Sequence, residues 1–230
     1  MIVSHRHKFI FIKTQKTAGT SIEIALSKFC GPDDIISRIS SVDEKFRKSL
    51  GYPGAQNCYK PLQEYNKSDW YRQLIKLRRP KKFYNHMPAS LIRQYVGNEV
   101  WNSYYKFCFE RNPWDKAVSI YYWRNTSEDR ISFTDYLEQC EDNGKRLSEY
   151  RLYTIDDKLA VDKVYKFEEI DSAMNDITER LQLPEIPLLP KTKTVTNKSR
   201  THYSELYNET AKAYIQREFS REINLLNYKF

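Results

Sequence analysis

Two rhythms of apolar and polar positions run along the chain. Residues 7–14 (HKFIFIKT) set Phe and Ile in a short unbroken run, as in a strand buried on both faces. A polar stretch, QKTAGTS at 15–21, follows; then Ile22, Ile24, Ala25, Leu26 and Phe29 recur at helical spacing until Gly31-Pro32 stops them. Residues 31–68 hold no sustained period and read as an irregular excursion. A helix is predicted over 69–79, closed by Pro80, then a second strand over 82–85 ending at His86, and a helix over 89–96 opened by Pro88. Residues 104–110 (YYKFCFE) predict a third strand, and Asn112-Pro113 form an N-cap and first-turn pair for a helix to about 124. Further on come a helix over 133–141, a fourth strand over 162–167 and a helix over 169–183. Pro184, Pro187 and Pro190 then lead into a basic, Thr-rich stretch, and a last helix spans about 204–222. No repeat is present at a period of 20 to 50 residues.

Strands alternating with helices predict an α/β fold: a single domain over residues 1–230, with a central parallel sheet flanked by helices. In such sheets ligands lie beyond the carboxyl ends of the strands. The polar residues gather there: 16–21 after the first strand, His86 after the second and Arg111 after the third.

Composition narrows the class. With 40% hydrophobic and 30% charged residues the chain has material for a core and lies outside the disordered regime. No apolar run approaches the roughly 20 residues of a membrane-spanning helix. His5-Arg6-His7-Lys8 leads straight into a strand, unlike a signal peptide, so a cytoplasmic protein is expected. Lys and Arg total 38 against 30 Asp and Glu, and the resulting +8 suits an anionic ligand without choosing between a polymer and a small nucleotide. The 18 Tyr are ordinary packing for the most part, with some left to line a binding surface. Cys30, Cys58, Cys108 and Cys140 form no CxxC pair, which predicts reduced thiols and neither a zinc site nor a disulfide framework.

The segment KTAGTS combines what an anion cradle needs: a Gly for close backbone approach, N–H groups at a helix start, hydroxyls and one cation. It is not a Walker A loop, because Lys16 precedes Gly19 where that motif places Lys after the second Gly. An ordinary helix start remains the other reading. Arg111 offers a planar fork for a phosphate, and Ser119, about 12 Å further along an ideal helix, adds a hydroxyl that only a long side chain can meet. Equally, Arg111 can pair with Asp115 while Ser119 is buried.

Four segments in order, FIKTQKTAGTS, FERNPWDKAVSIYYW, VYKFEEI and NKSRTHYSELYNETAKAYI with a terminal NYKF, resemble the sulfotransferases that use 3′-phosphoadenosine 5′-phosphosulfate (PAPS). The likeness is greatest to the branch of carbohydrate sulfotransferases and their bacterial relatives, and it leaves 31–82 largely unmatched. It implies a P-loop-like domain in which Lys16, Thr17, Ala18, Gly19, Thr20 and Ser21 bind the 5′-phosphosulfate, with Lys16 also catalytic near the bridging oxygen. It implies that Arg111 and Ser119 grip the 3′-phosphate, that Lys198, Ser199 and Arg200 belong to a basic linker or lid (184–203) closing over the nucleotide, and that His86 is the catalytic base. Three departures stand out: Gln15 where the family often has Pro, Lys116 where Arg is common, and Glu110 where an apolar residue is frequent.

The expected reaction moves a sulfuryl group from PAPS to a hydroxyl of a carbohydrate or similar acceptor, with no metal. Charge growing on the leaving phosphate oxygen falls to Lys16, and the acceptor proton to His86, whose other reading is a helix-capping histidine. Glu64, Glu110 and His202 are the substitutes. The excursion at 31–68 is then the acceptor side, where Tyr52, Tyr59, Tyr65 and Trp70 either stack on sugar faces or simply pack. Charge beyond the donor site either attracts an acidic acceptor or serves nothing specific. Glu110 reads as a structural salt-bridge partner or as a Walker B carboxylate, the latter disfavoured by the absent Walker A. Two competing functions are a P-loop nucleotide kinase or NTPase and a basic nucleic-acid-binding module; the second lacks any reader motif, so no nucleic-acid partner is expected.

Overall fold

A computed structural model describes residues 1–127, 129–190 and 202–230. The strands are β1 (Ile2–Ser4), β2 (Phe9–Phe11), β3 (Ile35–Ile36), β4 (Tyr105–Glu110), β5 (Thr154–Ile155), β6 (Lys158–Leu159) and β7 (Lys163–Lys166). Five form the central sheet in the order β3-β1-β2-β4-β7, and β5 and β6 make a separate hairpin. β2, β4 and β7 run parallel. β1 is antiparallel to both β2 and β3, so the sheet is mixed and not parallel throughout. Chain length explains the difference. Only residues 5–8 separate β1 from β2, too few for the dozen or more that a parallel crossover requires, so the chain turns back at Lys8, φ 52°.

The helices are α1 (Gly19–Ser27), α2 (Ser41–Ser49), α3 (Lys67–Leu74), α4 (Ala89–Ser103), α5 (Pro113–Arg124), α6 (Phe133–Asp142), α7 (Ile170–Leu181), α8 (Glu209–Glu218) and α9 (Ser220–Leu226). Side-chain alternation along the parallel strands divides the core. Phe9, Phe11, Phe107 and Phe109 face α1 and α7, packing on Ile22, Leu26, Met174 and Ile177. Ile10, Ile12 and Cys108 face the opposite way, towards Ile92 and Trp101 of α4. A third cluster joins α5, α6 and α8 around Trp114, Leu137, Ile215 and Phe219. All four cysteines are buried and unbridged. Among the described residues no helix is long and apolar enough to cross a membrane.

Several expected elements change. Residues 82–85 are not a strand: Lys82 and Phe83 both donate their N–H to the Cys58 carbonyl, and beside them only an isolated Tyr59–Lys81 bridge forms. Backbone donors spent on one carbonyl are lost to a ladder. The excursion at 31–68 contains β3 and α2. α2 escapes a search for apolar periodicity because its buried residues are Asp43 and Arg47 while Val42 and Phe46 are exposed. The helix begun at Ala89 continues to Ser103 across a kink at Gly97, whose φ of 83° suits glycine. The expected last helix is divided into α8 and α9 at buried Phe219.

Candidate functional site

The end of β2 is tied down before the polar loop begins. The Thr14 hydroxyl donates to the Phe109 carbonyl on β4 and lies 3.0 Å from that of Thr17, which is buried. Lys16 (φ 61°) and Ala18 (φ 56°) then adopt left-handed backbone, each costing on the order of 1 kcal/mol outside glycine. Ala18 is the N-cap of α1 and contributes no side-chain cap; the first turn carries no acidic residue. A helix start of this kind favours an external anion. Gly19 allows the tight return: a Cβ there would stand 2.8 Å from Lys13 Cγ and 3.3 Å from the Thr14 carbonyl oxygen. Lys13 has no room to yield, because its Nζ bonds Glu23 Oε2 at 2.9 Å in a buried ion pair. Thr20 and Ser21 sit half-buried in the first turn of α1, and the Lys16 Nζ lies 5.6 Å from the ring centre of Trp123 on α5.

Arg111 leaves the end of β4 beside Asn112, whose Oδ1 caps α5 by accepting from Trp114 N and Asp115 N. Its Nε and Nη2 donate to Asp115 Oδ2 at 2.8 and 2.5 Å, the pairing that was one of its two expected fates. The third edge of the guanidinium turns to the loop: Nη1 donates to the Lys16 carbonyl at 3.2 Å. Phe167 packs against it, ring centre to Cζ 4.7 Å. Ser119 is buried on α5, and no hydrogen bond joins it to Arg111 among the described residues.

His86 reaches the same loop at Lys13. With φ 55° just before Pro88, the N-cap of α4, it sets its Nδ1 3.0 Å from the Lys13 carbonyl. A carbonyl only accepts, so Nδ1 carries the hydrogen and Nε2 of the neutral ring is left with the lone pair. Burial, and next the charge of Lys13, lower the His86 pKa to about 4, which keeps it neutral at pH 7. The substitutes are otherwise engaged: Glu64 pairs with Lys82 at 2.7 Å, Glu110 with Lys116 at 2.9 Å, and His202 Nδ1 lies 2.6 Å from Ser204 Oγ. Lys198, Ser199 and Arg200 lie outside the described residues.

The Sulfotransferase family profile matches residues 1–229. This chain belongs to the Sulfotransferase family. An uncharacterized protein of Archaeoglobus fulgidus is 31% identical over 102 residues, 43% of this chain and 85% of that one. A crystal structure of a sulfotransferase from Alicyclobacillus acidocaldarius superposes with a TM-score of 0.48 and 19% identity, covering 96% of each chain.

Within this sulfotransferase the three departures from the family pattern prove to be one another's neighbours. A Pro at position 15 would have no N–H; Gln15 has one and donates it to Glu149 Oε2 at 2.6 Å. Lys116 Nζ lies 3.6 Å from that same oxygen and 2.9 Å from Glu110 Oε2, with Lys116 and Glu110 wholly buried. Burial works against the Lys116 charge, but the charges of Glu110 and Glu149 outweigh it and raise its pKa. Burial likewise lifts the Glu149 carboxyl, against the pull of Lys116. Glu149 escaped the sequence reading because it lies in an irregular stretch with no motif around it. Trp123 lay inside a recognised motif, and nothing in its spacing marked it as the neighbour of Lys16.

Proposed function

We propose that this sulfotransferase transfers a sulfuryl group from PAPS to a hydroxyl of a carbohydrate or similar acceptor in the cytoplasm. The observation that carries the reading is the convergence on residues 13–16: His86 bonds the Lys13 carbonyl and Arg111 bonds the Lys16 carbonyl of one loop. The left-handed turns at Lys16 and Ala18, the space kept by Gly19 and the acid-free first turn of α1 suit an anionic donor. When bound, PAPS supplies the sulfuryl group, a phosphate that departs as an anion, and a separate 3′-phosphate.

Lys16 and the N-terminal N–H groups of α1 offset negative charge at the departing oxygen. Thr17, Thr20 and Ser21 orient the 5′ side, although the Thr17 hydroxyl is already turned to Thr14. Arg111 and Ser119 take the 3′-phosphate; the guanidinium, fixed by Asp115 and by Lys16, is oriented before the ligand arrives. His86 accepts the acceptor proton on Nε2. The excursion at 31–68 forms the acceptor side.

Calorimetry with 3′-phosphoadenosine 5′-phosphate, ATP and an oligonucleotide tests the assignment. The bisphosphate should bind tightest, and Lys16→Ala and Arg111→Ala should each weaken it. Equal or tighter ATP binding, or indifference to Arg111, overturns it. A screen of hydroxyl acceptors with radiolabelled sulfate donor then identifies the acceptor.

A further inference from the structure

Between Tyr59 and Lys81, whose bridge closes its base, the chain leaves the body of the protein and returns. The outgrowth holds α3, begun by a capping box in which Asn66 and Asp69 exchange hydrogen bonds. Its polarity is reversed relative to an ordinary surface helix. The inward side carries Asp69, buried and bonded to Lys60 Nζ at 2.8 Å. The outward side carries Trp70, Tyr71, Leu74 and Ile75, continued just past the helix by Leu77. Leu74 is 66% exposed, Ile75 65% and Leu77 85%.

Charge surrounds this apolar face. Residues 60–82 hold eight Lys and Arg against two Asp and Glu, a net +6 out of the +8 of the whole chain. Both acids are consumed inside the outgrowth, Asp69 by Lys60 and Glu64 by Lys82. Lys67, Arg72, Lys76, Arg78, Arg79 and Lys81 therefore remain as surplus positive charge.

We infer that this outgrowth docks on an anionic lipid bilayer, laying Trp70, Leu74, Ile75 and Leu77 into the interface while the surrounding cations meet acidic headgroups. Apolar residues including Trp and Leu on one side, with Lys and Arg beside them, are the chemistry of an interfacial helix. Three exposed aliphatic side chains gain nothing on a polysaccharide or nucleic acid, which would use the cations and the aromatic rings alone. A second copy of the chain is disfavoured by charge, since a symmetric contact sets +6 against +6. The docking needs no assumption about the reaction, and His86 follows the base of the outgrowth by five residues, so a docked helix holds the candidate site near the bilayer.

The test is co-sedimentation of the full chain with vesicles of phosphatidylcholine alone and of phosphatidylcholine with phosphatidylglycerol. The protein should partition onto the anionic vesicles, weakly onto the neutral ones, and less as salt shortens the Debye length. Leu74→Ser/Ile75→Ser/Leu77→Ser should lower the anionic partition by about tenfold or more while leaving the melting temperature unchanged. Independently of that variant, tryptophan emission of the unmodified protein should shift to the blue on anionic vesicles, and the shift should vanish in Trp70→Phe. No partition onto anionic vesicles, partition undiminished in the triple variant, or a shift that survives Trp70→Phe overturns the inference. So does self-association that the triple variant abolishes without any vesicle binding.

Discussion

Arg111 Nη1 donates to the carbonyl of Lys16 across 3.2 Å, although 95 residues separate the two in sequence. The same guanidinium holds Asp115 through Nε and Nη2, so one planar fork joins the start of α5 to the loop before α1. Lys cannot replace that fork, having one nitrogen where Arg has three. Arg111→Lys should therefore keep the charge and lose the geometry. Bisphosphate affinity should fall by about tenfold or more, in line with the loss of roughly 1.5–3 kcal/mol of charge-assisted hydrogen bonding. Calorimetry checks this, and an affinity retained within twofold would show that charge alone matters there.

The depressed His86 pKa has a kinetic signature. In the free enzyme the imidazole protonates near pH 4, so the acid limb of kcat/KM for the donor should lie well below the 6.5 of an ordinary histidine. An anionic donor in the site stabilises the imidazolium, so the limb in kcat should lie higher than that in kcat/KM. His86→Ala should lose turnover with nucleotide affinity intact. Unchanged turnover removes His86 from the mechanism.

Gly19→Ala probes the fit of loop against strand. The added Cβ meets Lys13 Cγ at 2.8 Å, and Lys13 is held by Glu23, so neither side yields without strain. The cost should be about 1–3 kcal/mol in urea denaturation. Bisphosphate affinity should fall with it, because the loop itself must shift.

Lys116→Met tests the buried ion pairs. It leaves Glu110 and Glu149 without their shared cation and should cost about 3–5 kcal/mol. Adding Glu110→Gln should recover part of that loss. A double-mutant cycle in chemical denaturation measures the recovery, and strictly additive losses would argue against coupling.

Glu222 makes stability depend on pH with a definite sign. Burial, and next the charge of Glu110, raise its carboxyl from 4.5 to about 7. Between those values the folded protein holds a proton that the unfolded chain has released, so stability falls as pH rises through the window. Glu222→Gln imitates the protonated form and should flatten the dependence. The variant should melt higher than the parent at pH 8 and alongside it at pH 4.5.

Legibility in the sequence followed physical range. The strand-loop-helix at residues 9–27 was readable because strand, glycine and helical period are contiguous there. So was the cap at Asn112, a purely local device. The antiparallel β1 was not, since three residues establish no period. Nor was α2, which buries Arg47 where an apolar residue was sought. At the candidate site the residue types were legible one by one, and their linkage was not. The Arg111–Asp115 pair is legible as one of two readings because Asp115 lies one helical turn away, whereas the bond to Lys16 depends on strand order. Gln15, Glu110 and Lys116 seemed unrelated departures until Glu149, remote from all three in the chain, supplied the missing partner.

Lys13 serves two neighbours at once, its ammonium fixed to Glu23 and its carbonyl to the ring of His86. Lys16 stands three residues along the same peptide. The candidate base is thus mounted on the segment that carries the candidate cation, and not on an independent support. Their spacing is set along one stretch of backbone, which the buried Lys13–Glu23 ion pair holds in place.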